Sequence, residues 1–282
     1  MALAEHHIQV DSLDWFYREA SPIGKSDKPP VVLLHGIVAQ SYSYRDVITA
    51  LADQGFRAIA PDWIGHGFSD KPEKRNFDYT PTAFLAGLAG FLHTLELEKF
   101  SLVVQGFLGS VGLLYALKHT NQIERLAILN TPLAPTAQLP WKIRQLGWPF
   151  IGDMATQDPL LVDRILEGGG PYQVDDAALD VYRRPFLTTS ASGRALLYTV
   201  RSLNLPDVTT EIQTGFKTWQ QPTLVAWGTS DPWLSMADAK AFAEGLKDGE
   251  FAELDQVGHY AQEDWADKVS EALGSFLRRM AV

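Results

Sequence analysis

Short apolar runs alternate along this chain with longer segments whose apolar residues recur every three or four positions. Val31-Val32-Leu33-Leu34, Arg57-Ala58-Ile59-Ala60, Leu102-Val103-Val104, Ile123–Asn130 and Thr223–Gly228 are the apolar runs. Their length and lack of alternation predict strands buried on both faces. Between them, Tyr44–Gln54 gathers Val47, Ile48 and Leu51 on one helical face, with Gly55 as its cap. Pro81 opens a helix running to about Leu97, since proline suits a first helical position. The run at 102–104 leads into Gln105-Gly106-Phe107-Leu108-Gly109, and apolar residues at helical spacing follow to Leu117. This is a strand, a sharp turn and a helix.

Residues 6–20 form two strand-like pieces around Asp11-Ser12, read as an edge hairpin. Residues 132–220 break the rhythm. They are rich in Pro and Gly, with Trp141, Trp148, Phe150, Tyr172, Tyr182, Phe186 and Tyr198 between. Short helical patterns recur at Leu160–Leu166, Ala177–Tyr182 and Arg194–Leu203, and no apolar strand run occurs. After Gly228 come a helix at Met236–Leu246, a strand at Phe251–Leu254 and a final helix at Glu263–Arg279. The expectation is an α/β fold with a mostly parallel sheet flanked by helices. Its core is divided between 1–131 and 221–282, and 132–220 form an inserted helical cap.

Composition narrows the functions. The formal charge is −10, so nucleic-acid binding, which needs a basic face to offset phosphate charge, is not expected. With no cysteine, disulfides, thiol catalysis and thiolate metal sites are excluded. No His/Asp/Glu spacing suits a metal and no Gly-rich phosphate loop occurs, so neither metal nor cofactor is expected. The start has no basic segment before an apolar one, and no run is long enough to be a transmembrane segment. A soluble, cytoplasmic protein is expected. No pattern in the chain sets an oligomeric state.

Four features fall at strand ends, where open α/β sheets bind ligands. At His35-Gly36-Ile37 the glycine permits a close turn, and the Ile37 amide can face a pocket. At the 105–107 turn the Phe107 amide lies at a helix N-terminus, which favours negative charge. Two such amides make an oxyanion hole. The third and fourth features are Asp231, after Trp227-Gly228, and His259, after Val257-Gly258. A carboxylate fixes a histidine's tautomer and stabilises its protonated form, so this pair can serve as a base. His6, His7, His66, His93 and His119 lack such context and read as solvent-facing or structural.

The segments VVLLHG, APDWIGHGFSDKP, LVVQGFLGSVGLLYA, AWGTSDPW and VGHYAQED together resemble the α/β-hydrolase superfamily, most closely its haloalkane dehalogenase and epoxide hydrolase branch. The turn at 105–107 is also similar to a cyanobacterial and chloroplast subgroup with Gln-Gly-aromatic there. The resemblance implies an order of nucleophile, acid and histidine. In that branch the elbow reads V-Q-D-W-G-G, with Asp as nucleophile. Gly106 takes the place of that Asp and Phe107 that of the Trp, so the nucleophile position is vacant. The dehalogenases bind halide through that Trp and through an Asn or Trp after His-Gly. Phe107 and Ile37 carry no side-chain N–H, so a working haloalkane dehalogenase is not expected. Epoxide hydrolases add cap tyrosines, for which Tyr172, Tyr182 and Tyr198 are candidates. Ser110 should sit a turn into the helix, and Ser41 and Ser43 should hydrogen-bond locally.

Two readings follow. In one, the His259–Asp231 dyad is a general base on water or on a small, largely apolar substrate, without a covalent intermediate, as in cofactor-free oxygenases and some lyases on this fold. In the other, the chain is a binding or scaffold protein on a retired hydrolase fold. Glycine at the elbow should relieve backbone strain of about 1–3 kcal/mol and leave a gap below His259.

Overall fold

The computed structural model describes residues 3–148 and 160–279, with 152, 154, 156 and 158 between them. Phe150 lies outside the described residues. Among the described residues, one sheet has eight strands: β1 (Ala4–Val10), β2 (Leu13–Ala20), β3 (Val31–Leu34), β4 (Ala58–Pro61), β5 (Phe100–Gln105), β6 (Ile123–Leu129), β7 (Thr223–Gly228) and β8 (Gly249–Leu254). Their spatial order is β1-β2-β4-β3-β5-β6-β7-β8. The hairpin pairs β1 with β2 antiparallel, β2 joins β4 antiparallel, and the remaining pairs are parallel.

The central strands alternate their buried side chains between two cores. Val32, Leu34, Leu102, Val104, Leu126, Ile128 and Val225 face one. Val31, Leu33, Val103, Ala127, Leu129, Leu224 and Ala226 face the other. Because both faces are covered, the strands read as continuous apolar runs. The second core is closed by α1 (Arg45–Asp53), through Val47, Ile48 and Leu51, and by the C-terminal helix, through Val269, Leu273 and Phe276. The first is closed by α2 (Pro81–Thr94) and α3 (Gly106–Lys118), with Phe84, Leu88, Phe91, Val111 and Leu114 buried. α2 stops before Leu97 because the backbone turns left-handed at Glu96, φ +55°.

Between β6 and β7 lie α4 (Trp141–Arg144), α5 (Leu161–Leu166), α6 (Asp176–Thr188), α7 (Ser190–Ser202) and α8 (Leu205–Gly215). The sequence pattern missed α8. Its three threonines are weak helix formers, but Leu205, Val208 and Ile212 are buried beside α3. After β7 come α9 (Met236–Glu244), α10 (Ala261–Asp264) and α11 (Ala266–Leu277). The single final helix expected over 263–279 is therefore two. Trp265 is extended at φ −155°, ψ 76°, and Asp264 is bound back to the Gly258 N–H at 2.7 Å, which turns the chain there. Among the described residues, no helix is long and apolar enough to cross a membrane.

Candidate active site

β5 brings the chain to Gly106, where φ is +69° and α3 begins. Only glycine adopts this angle without penalty. The expected gap beneath His259 is narrow. A Cβ on Gly106 would lie 2.9 Å from Gly36 Cα and 3.2 Å from His259 Nε2. Gly106 thus brings no side chain to the site, and its backbone lies close against Gly36 on one side and His259 Nε2 on the other.

The two predicted amides belong to the residues that follow these glycines. Phe107 is the second residue of α3, so its N–H has no acceptor within the helix. Ile37 follows Gly36, whose own N–H donates to Gln105 Oε1 at 3.1 Å. The next residue, Val38, is β-branched at φ +70°, a strained backbone of the kind that clusters at functional sites. Both side chains are apolar and buried, and the Phe107 ring stacks on His259 at 5.1 Å.

Asp231 and His259 meet. His259 Nδ1 lies 2.9 Å from Asp231 Oδ2, and each side chain is 1% exposed. An ionised carboxylate only accepts, so Nδ1 donates and Nε2 is left toward Gly106. Asp231 Oδ1 also accepts from the Trp233 and Leu234 N–H groups, at 2.8 and 3.2 Å, and Oδ2 accepts from Asn130 Nδ2 at 2.9 Å. Burial pushes the Asp231 carboxyl up. The His259 charge and hydrogen bond, with the Trp233 and Asn130 donors, outweigh it and hold the group below the usual carboxylate range.

Sequence reasoning missed the residues that lock these pieces together. Gln105 is fully buried, and its Nε2 donates to the His259 carbonyl at 2.8 Å while its Oε1 takes the Gly36 N–H. Asn130 binds Asp231 and also brackets Gly228, accepting from its N–H at 2.8 Å. Gly169, between β6 and β7, accepts the His259 N–H at 2.6 Å. Trp233 lies 4.7 Å from the His259 ring. The available signal was a polar residue at the end of an apolar strand, which must find a partner once buried.

The other candidates lie elsewhere. Ser110 donates to the Phe107 carbonyl, Ser41 accepts from Arg18, and Ser43 donates to the Gln40 carbonyl. The rings packed on His259 are Phe107, Trp233 and Tyr260. Tyr182 instead donates to Glu263, Tyr198 packs on Tyr79, and Tyr172 on Trp265. His66 is buried, packed on His35 at 6.0 Å, and burial first, then His35, lowers it well below the usual histidine value.

Comparison with known proteins agrees with this architecture. The alpha/beta hydrolase fold family matches residues 29–159. A haloalkane dehalogenase of Mycobacterium marinum is 30% identical, over 97% of this chain and 93% of that one. A cis-3-alkyl-4-alkyloxetan-2-one decarboxylase of Xanthomonas campestris is 27% identical, over 91% and 90%. A loop variant of a Bradyrhizobium elkanii haloalkane dehalogenase superposes with a TM-score of 0.85 at 24% identity, covering 98% of this chain and 96% of that one. The chain belongs to the α/β-hydrolase family, in its haloalkane dehalogenase-like branch.

Proposed function

We propose that this protein works through the His259–Asp231 dyad without a side-chain nucleophile. His259 Nε2 takes a proton from a water or from the substrate itself. Asp231 stabilises the imidazolium that results. The Ile37 and Phe107 amides stabilise the oxygen on which negative charge develops. No covalent ester forms, because Gly106 carries no nucleophile. Residues 132–220 act as a cap, and the substrate is small and largely apolar, in keeping with the apolar side chains around His259.

The observation that carries this reading is His259 held through Nδ1 by the buried Asp231 while its Nε2 faces glycine. Dehalogenation, which the name of the Mycobacterium marinum relative specifies, is not proposed for this chain. Neither Ile37 nor Phe107 has a side-chain N–H for a halide. The names of the relatives span a dehalogenase and a decarboxylase, so the family leaves the reaction open.

A second reading has its own support. The close approach of Gly36 to Gly106 and the 1% exposure of His259 suit a protein that binds a ligand without turning it over. Incubation with a metabolite extract, followed by untargeted mass spectrometry with His259→Ala alongside, separates the two. A compound consumed by wild type alone is the expected result. A compound retained unchanged by both proteins would overturn the dyad reading in favour of binding.

A further inference from the structure

Trp233 has a second environment besides His259. It also lines a cavity of about 440 Å³, walled by Trp141, Ile143, Ile165 and Pro232, with Gly168, Lys142 and Arg164. Neither His259 nor Asp231 lines this space. Its walls are apolar, and its two charged residues are both cations, in a chain of formal charge −10. Arg164 is paired with Asp158. Lys142 has no acidic partner among the described residues. Trp141 leaves 55% of its surface bare. A large aromatic surface exposed at a cavity offers apolar area for a ligand to cover.

We propose that this cavity is a binding site for a small amphipathic carboxylate. The hydrocarbon body lies against Trp141, Ile165 and Trp233, and the carboxylate sits at Lys142. One uncommitted cation matches a monoanion. A phosphate ester would call for a second free cation or an unpaired Arg fork, and Arg164 is already spent on Asp158. The site stands apart from the dyad reading, because occupancy is measured without turnover.

The test is calorimetric titration of the full chain with octanoate, 1-octanol and octylammonium. Octanoate should bind saturably. Octanol should bind about fivefold more weakly, the worth of one partly exposed ion pair, and octylammonium more weakly than octanol. Lys142→Glu should reverse that order. Gly168→Leu should plug the cavity while preserving the fold. A Cβ there meets only Trp233 Cζ2, at 3.7 Å, which is ordinary contact. Thermal unfolding of each variant verifies folding. No saturable octanoate binding, equal affinity for octanoate and octanol, or a folded Gly168→Leu variant that binds octanoate like wild type would each overturn the proposal.

Discussion

Gly106→Ala tests whether the elbow is closed. The substitution meets two costs. At φ +69° an L-residue pays about 1–2 kcal/mol for the left-handed backbone. Its Cβ also falls 2.9 Å from Gly36 Cα, a backbone atom that cannot swing aside, and such overpacking costs about 1–3 kcal/mol. Loss of unfolded-state freedom returns about 0.4–1 kcal/mol. The net is a destabilisation of about 1–5 kcal/mol, each kcal/mol lowering Tm by roughly 2–4 °C for a large domain. Gly24→Ala is the control. It has φ +88° and nothing within 4 Å of its Cβ, so it carries the backbone term alone. The difference between the two variants in denaturant unfolding isolates the packing against Gly36. If Gly106→Ala costs no more than Gly24→Ala, the glycine contact is not a constraint and the reasoning fails. A consequence is that Gly106→Asp does not restore a nucleophile by itself, because Gly36 must first retreat.

Other outcomes follow from charge and burial. Burial, with Glu263 adding to it, pushes Asp264 up to about 6. The native state therefore holds that proton more tightly than the unfolded chain, and stability falls as pH rises from about 4 through about 6. Asp264→Asn keeps an acceptor for Gly258 and should gain about 1–2 kcal/mol over wild type at pH 8 but little at pH 4; equal gains at both would refute the assignment. His66 is lowered by burial, so its contribution is present above its ordinary pKa and lost as pH falls below it. His66→Gln should flatten that loss in unfolding curves taken between about pH 7 and 5. Tyr182→Phe removes a hydroxyl that donates to the Glu263 carboxylate from α6. A loss of about 1–2 kcal/mol is expected, since bonds to charged groups are the stronger ones, and no loss on denaturant unfolding would count against that contact.

Much of the fold was legible because buried parallel strands carry their signature locally: a short apolar run and then a turn. Gly36, Gly106 and Asp231 were legible for the same reason, as each follows such a run, whereas β8 before His259 carries Glu250 and Glu253 and His259 was placed by Val257-Gly258. The closure at Gly106 was not. It depends on how near Gly36 comes from a loop 70 residues earlier, and no local pattern records that distance. Gln105 and Asn130 were also silent. Their partners, the His259 carbonyl and Asp231, lie 154 and 101 residues away. A sequence shows a buried amide's need for a partner but not the partner.

Those two amides bear on what an intact dyad means. Asp231 accepts from Asn130, Trp233 and Leu234 as well as from His259, so it organises the loop after β7 whether or not a reaction occurs. Its presence therefore argues for catalysis less strongly than that of His259, whose Nε2 has no structural task toward Gly106. The two roles separate on substitution. Asp231→Asn replaces an acceptor of several hydrogen bonds by a group with one acceptor oxygen, and should cost about 2–4 kcal/mol of stability. His259→Ala should cost less than Asp231→Asn in the same denaturant unfolding, while abolishing turnover of whatever compound wild type consumes. If His259→Ala proved the more destabilising of the two, the histidine would be holding the loop as well, and the dyad would be as readily explained by folding as by chemistry.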